Sequence, residues 1–309
     1  MNQIVEKIKQ NISKVMVGKE EVVDLLLIAL LCKGHVLIED VPGVGKTTLV
    51  WSLARSLDCS FKRIQFTPDV LPSDITGFTM VDLKSGDMQF RKGAVFSQII
   101  LADEINRTPP KTQSALLEAM QERQVTVDGV SYPLPVPFMV LATQNPIEYI
   151  GTYPLPEAQL DRFFMRVSIG YPSVREEMGI LERFSSEDPR LTLENVTDAG
   201  SIIEAQAEVD SVACSEKIYE YISSISMRTR NEEHLRLGVS PRGSLNLLQA
   251  AKARAYLEGR DYVIPDDVKS MVQTVLAHRI IIKPEAKLYS MDVERILKNI
   301  LNSVRVPVI

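Results

Sequence analysis

Short apolar runs alternate with helical patterns through the first half of the chain. Residues 34–39, 61–66, 95–103, 138–143 and 163–169 each read as a strand. The second sets Ile64 and Phe66 on one face, and the third carries the most hydrophobic stretch, Ile99, Ile100, Leu101 and Ala102. Near-continuous apolar strands separated by helices point to a parallel sheet covered on both faces. The intervening helices show the longer period: Ile4, Ile8 and Ile12 share a face in a helix starting at Met1, and Leu49, Val50, Leu53 and Ala54 follow another. A third opens with Thr108 as N-cap and proline in its first turn, then runs through Leu116, Ala119 and Met120. Two short hairpins are expected as well, over 78–90 with a turn at Ser85 and Gly86, and over 125–132 with a turn at Asp128 and Gly129. After Tyr171 and Pro172 the pattern changes. Residues 175–184, 215–225, 244–257, 266–277 and 293–304 read as helices with little strand signal between them, and the polar stretch 185–198 as a connector. Ser240 and Pro241 are a good helix opening, and Gly259 a good stop. The expectation is an α/β domain over residues 1–171 and a smaller helical domain over 172–309.

The first strand runs into Asp40, Val41, Pro42, Gly43, Val44, Gly45, Lys46, Thr47 and Thr48, which open the second helix. A strand, a glycine-containing turn, then Lys and Thr at a helix start is an arrangement that holds a polyphosphate. Backbone N–H groups at the helix N-terminus face the phosphate oxygens, and the helix dipole favours their charge. Lys46 would reach the terminal phosphates, and the Thr47 hydroxyl would bind Mg²⁺. The first glycine of the G-x-x-x-x-G-K-[ST] pattern is replaced here by Asp40.

Further chemistry sits at strand ends. Asp103 and Glu104 follow the apolar run 99–102, at the end of a buried parallel strand where ligands bind. Asp103 would hold Mg²⁺ mainly through its water shell, and Glu104 would deprotonate the water attacking a terminal phosphate. An acidic loop after a core strand is the plainer reading. Asn145 ends another apolar strand before Pro146, placed either to bond the phosphate or the attacking water, or as a simple turn residue. Arg162 lies where a helix gives way to a strand; it is either a cation completing a neighbour's site or a surface arginine paired with Asp161 or Glu157. Arg242 stands in the first turn of a helix, against the dipole, which invites a bound anion or a nearby carboxylate.

Composition limits the alternatives. The 309 residues are 45% hydrophobic and 24% charged, as in an ordinary globular chain. No apolar run is long enough to span a bilayer, and no signal-peptide pattern opens the chain. Three widely spaced cysteines argue against a disulfide framework or a metal knuckle and read as small buried hydrophobes. A cytoplasmic location is expected. The net charge of −5, with Lys and Arg interspersed among acids, argues against nucleic acid as the main partner.

In this order, these elements resemble an AAA+ ATPase, and more narrowly the MoxR family. The narrower likeness rests on Gln65, Phe66, Thr67, Pro68, Asp69, Val70, Leu71, Pro72, Ser73, Asp74, Ile75, Thr76 and Gly77, and on Asp103, Glu104, Ile105, Asn106 and Arg107. It continues through residues 116–122 (LLEAMQE), 142–146 (ATQNP) and 155–163 (LPEAQLDRF), so it covers essentially the whole chain. The resemblance implies an AAA+ P-loop αβα domain with a parallel five-stranded core sheet, followed by an all-helical lid. It implies a Walker A role for Pro42, Gly43, Val44, Gly45, Lys46, Thr47 and Thr48 and a Walker B role for Asp103 and Glu104. Asn145 becomes sensor 1, Arg162 an arginine finger and Arg242 a sensor 2 residue, while Val17 and Gly18 line the adenine pocket. The family more often has Gly at the position of Asp40 and Gln at that of Lys19. A carboxylate turned toward the phosphates would weaken ATP binding.

The resemblance further implies ATP and Mg²⁺ as cofactors, and a homo-oligomer in the form of a hexameric ring. It implies a chaperone-like action on a protein client, with a von Willebrand factor A domain protein among the candidates, and hairpins that line the face or pore of the ring. No nucleic acid partner and no membrane span are expected. The rival readings are an ATP-gated scaffold with very slow hydrolysis, kept open by Asp40, and a DNA-associated motor, disfavoured by charge. A GTPase is disfavoured by the lack of an Asn-Lys-x-Asp element.

Overall fold

Five parallel strands form the central sheet: β1 (Val36–Glu39), β2 (Phe61–Gln65), β3 (Ile99–Asp103), β4 (Met139–Gln144) and β5 (Met165–Val167). Their spatial order is β2-β3-β4-β1-β5. The computed structural model describes residues 3–146, 151–185, 188–288 and 291–308. Successive side chains in the inner strands β1, β3 and β4 alternate between two cores, as a strand buried on both faces requires. Val36, Ile38, Ile99 and Leu101 face one core, and Leu37, Ile100 and Ala102 the other. The register pairs Gln65 with Asp103, Ala102 with Ala142 and Ile38 with Thr143, so the carboxyl ends of neighbouring strands lie level. The third apolar run is longer than its strand because residues 94 and 95 bond elsewhere. Their N–H groups donate to the Asp74 and Ile75 carbonyls, 3.0 and 3.1 Å away, and so pack under the short helix Pro72–Thr76.

The sheet is covered by α1 (Gln3–Ser13), α2 (Glu20–Leu31), α3 (Lys46–Ser56) and α4 (Pro110–Glu122). The expected start of α1 at Met1 lies outside the described residues. Thr108 does not cap α4. A residue before proline is driven out of the helical region, so Pro109, followed by Pro110, is extended at φ −59° and ψ 153° and itself occupies the cap position. The Thr108 hydroxyl is buried without a hydrogen-bond partner among the described residues.

The longer helices of the helical part are α5 (Val174–Phe184), α6 (Ala199–Ser211), α7 (Glu216–Arg230), α8 (Pro241–Leu257), α9 (Pro265–Leu276) and α10 (Val293–Ser303). One short antiparallel ladder joins Leu235–Leu237 to Ile281–Ile282. The polar connector ends at Asp198, whose side chain accepts from the Ser201 N–H at 2.8 Å and caps α6; its residues 186 and 187 lie outside the described set. Helices α6 to α10 share one continuous core with α1, α2 and α3. The three cysteines are free and half-buried, and burial pushes the Cys59 thiol up to about 11.

Both expected hairpins form, Gly77–Val81 with Met88–Lys92 and Gln124–Val127 with Val130–Pro133. Asp128 and Gly129 take φ values of 50° and 78°, the twisted turn a two-residue hairpin favours. The Phe90 ring stacks on Tyr132 with centroids 4.0 Å apart, which joins one hairpin to the other. Among the described residues no helix is long and apolar enough to cross a membrane.

Candidate functional site

The loop between β1 and α3 is shaped by its glycines. Gly43 and Gly45 lie at φ 87° and 89°, backbone that L side chains rarely adopt. Gly45 is the N-cap of α3 and supplies no side-chain cap, so the first-turn N–H groups are left to face a ligand. A Cβ at Gly43 would have no atom within 4 Å, which leaves that side of the loop open. Lys46 Nζ donates to the Asp40 carbonyl at 3.0 Å and the Val41 carbonyl at 3.4 Å. Pro42 and Val44 complete the turn, and Thr47 and Thr48 follow in the first turn of α3.

Asp40 does not point into this cradle. Its buried carboxylate accepts from the Ser168 hydroxyl at 3.2 Å, from the Ile169 N–H, and from the Gly170 N–H at 3.2 Å. The charge is spent on the backbone after β5, where the chain leaves the sheet for α5. The expected repulsion of phosphate is absent from this geometry, and Asp40 ties the loop to that exit.

Beside the loop lies an apolar slot of about 170 Å³ lined by Met16, Val17, Val44, Pro172, Ile180 and Phe184, among others. Its size and lining suit a flat base. Gly18, at φ 66°, packs against the Glu176 side chain, and Lys19 Nζ lies 3.8 Å from the same carboxylate. Glu176 is in turn fixed as half of the capping box of α5, with its Oε2 accepting from the Ser173 N–H. That bond, ahead of Lys19, holds its carboxyl below the usual range. The segment 15–19 and α5 therefore form opposite walls of one slot.

The acidic pair sits where the strand ends are level. Thr143 Oγ1 donates to Asp103 Oδ1 at 2.7 Å and accepts from the Glu104 N–H at 2.8 Å. Arg63 grips the other Asp103 oxygen, at 2.6 Å from Nη2 and 3.1 Å from Nε. Glu104 lies at φ 58° and ψ 49°, a left-handed conformation costing a non-glycine residue about 1–2 kcal/mol. Its Oε2 accepts from Gln65 Nε2 at 2.7 Å and lies 3.4 Å from Arg107 Nε. Asn145 follows β4 directly and is buried. The hard oxygens of Thr47 and Asp103 suit Mg²⁺, and a carboxylate already bonded on both oxygens suits holding it through water.

Arg63 lies outside every motif, and Gln65 and Thr143 fall within blocks that carry the family likeness but are given no role by it. Their signal is modest: each is the polar residue at or near the end of a strand adjacent to the acidic one.

Arg162 and Arg242 are brought together, but not to the phosphate loop. Both line a cleft that also includes Lys33, Arg123 and Gln249. It shares no lining residue with the base slot, nor with the pocket around Thr47, Thr48 and Trp51. Among the described residues neither guanidinium makes a hydrogen bond or ion pair. The expected alternative pairing of Arg162 with Asp161 or Glu157 is not found; Asp161 is bonded to Arg279 and Ser240, and Glu157 to Arg236.

Known proteins resemble this chain in sequence and in fold. Residues 35–165 match the family described as "ATPase family associated with various cellular activities (AAA)", and residues 227–300 match "AAA lid domain". An uncharacterized protein of Bacillus subtilis, YeaC, is 51% identical over 100% of this chain and 96% of its own. A protein of Mycobacterium tuberculosis named "Chaperone MoxR1" is 40% identical over 96% of this chain and 80% of its own. The crystal structure of a putative ATPase from Cytophaga hutchinsonii is 40% identical, covers 99% of this chain and 95% of its own, and superposes with a TM-score of 0.93. With its five-stranded parallel sheet, glycine-shaped phosphate loop and helical lid, the chain belongs to the MoxR family of AAA+ ATPases.

Proposed function

We propose that this chain is a Mg²⁺-dependent ATPase whose catalytic site is completed between copies and whose turnover drives a chaperone-like action on a protein client. One observation carries the reading. β1 leads into the phosphate loop, β4 beside it leads to Asn145, and β3 on the far side of β4 leads to Asp103 and Glu104, all at the same level. The α/β part to residue 171 would hold the triphosphate through Gly43, Gly45, Lys46 and Thr47, and the helical part from 172 would close the base slot through α5. Thr47 and Asp103 would hold Mg²⁺, which when bound offsets the negative charge of the phosphates. Glu104 would take the proton of the attacking water, steered by Gln65, and Asn145 would orient that water or the terminal phosphate. Arg162 and Arg242 would meet the phosphates of a nucleotide held by a second copy, because they occupy a separate cleft. A hexameric ring in the cytoplasm fits this division of labour, and a von Willebrand factor A domain protein is one client class to test. The orientation of Asp40 favours hydrolysis over a non-hydrolysing scaffold.

Glu104→Gln tests the reading. It should leave ATP binding within about twofold and lower steady-state phosphate release by about a hundredfold or more. Unchanged turnover would remove Glu104 from its role.

A further inference from the structure

A third arginine, Arg279, lies behind the two that line the cleft. It ends the turn Ala277–Arg279 after α9, and its side chain is 1% exposed. All five of its N–H donors are engaged. Nε donates to Asp161 Oδ1 at 2.8 Å, and Nη2 to the Asp161 carbonyl at 3.3 Å and to the Phe163 carbonyl. Nη1 donates to the Phe164 carbonyl at 3.1 Å and to the Val275 carbonyl. Four of these five bonds grip the segment 161–164, so the backbone on both sides of Arg162 is fixed by one guanidinium. His278 Nε2 adds a fifth hold on that segment, to the Phe163 carbonyl at 3.1 Å.

The same Asp161 carboxylate accepts from the Ser240 hydroxyl at 3.2 Å. Ser240 is the N-cap of α8, accepting from the Gly243 N–H at 3.2 Å, and Arg242 stands two residues beyond it. The stem of Arg279 also lies against this turn: a Cβ at Gly243 would come within 3.0 Å of its Cδ. One continuous strut, Arg279 to Asp161 to Ser240, therefore sets the backbone positions of Arg162 and Arg242 together.

Stability alone is a weak reason for such a device. A buried ion pair is often no better than apolar packing of the same volume. Here burial pulls the Arg279 guanidinium down to about 10, with Asp161 opposing that and Arg242 adding to it, so it still carries its charge at neutral pH. Arg162 and Arg242, which line one cleft and have no ion-pair partner among the described residues, are held there with a third cation behind them. Fixing them in advance removes the cost of assembling them around a developing negative charge.

We propose that Arg279 is a positioning residue that, through Asp161 and Ser240, presets Arg162 and Arg242 as one cationic pair for the phosphates of a nucleotide bound by a second copy of this chain. This rests on the shared-site reading above. Lysine cannot reproduce the planar five-donor fork, so Arg279→Lys should keep ATP affinity and KM within about twofold while kcat falls tenfold or more. Mixed with Lys46→Ala, whose arginines are intact, it should regain turnover; mixed with Arg162→Ala it should not.

The mixture of Arg162→Ala with Lys46→Ala is the control. If that control stays inactive, the shared-site reading fails and this proposal with it. If the control recovers, two results overturn the proposal alone: wild-type kcat for Arg279→Lys, or equal recovery with both partners. Should Arg279→Lys not fold by circular dichroism, Asp161→Asn replaces it in the same mixtures with the same expected and overturning results.

Discussion

His35 has both ring nitrogens engaged at the foot of the sheet: the Val140 N–H donates to Nδ1 at 3.0 Å, and Nε2 donates to the Met120 carbonyl at 3.0 Å. That pattern requires the neutral ring, and burial lowers its pKa to about 4. His278 is shifted well down for the same cause, with Arg279 adding to it. A depressed histidine pKa means that below about 6.5 the unfolded chain takes up a proton that the native chain refuses. Stability is full above that pH and declines as pH falls toward 4, by roughly 3 kcal/mol for His35 alone. Urea midpoints at pH 7.5 and pH 5 should show the loss, and His35→Gln should flatten it. Residue types at the site were legible in the sequence, since Lys46, Thr47, Asp103 and Glu104 follow directly on apolar strands. The direction of the Asp40 carboxylate was not. It depends on Ser168, 128 positions away, which reaches Asp40 only because β5 pairs with β1.

The inner strands β1, β3 and β4 are legible as apolar runs, because burial on both faces leaves almost no polar position to interrupt them, whereas β2 shows only Ile64 and Phe66 on one face. The same rule hid α2. Its run from Val22 to Leu31 is buried nearly throughout, so no polar face marks a helical period. Helix α6 is hidden for another reason: its stretch of alanine, glutamine and serine carries few large apolar residues, and only the Asp198 cap marks its start. Neither gap touches the site. Helix α5 does, since Ile180 and Phe184 form one wall of the base slot. Removing part of that wall weakens ground and transition state alike. Ile180→Ala should therefore raise the KM for ATP about five- to tenfold, equivalent to roughly 1 kcal/mol of lost apolar contact, with kcat within twofold. Steady-state kinetics read both values from one series.

Helices α6 to α10 share their core with the helices beside the sheet, so the two halves of the chain bury surface in common. Within that body the phosphate loop and the arginine cleft have no lining residue in common. On the shared-site reading proposed above, a chain built this way would own two half-sites and no whole one. Its activity per molecule would then be a property of the population. On dilution, turnover should fall faster than the amount of protein, and specific activity measured across a thousandfold range should climb to a plateau. A flat profile would mean that each molecule completes its own site. Catalysis with such a molecularity would work as a threshold: few copies would bind ATP and wait, and a crowd would hydrolyse it.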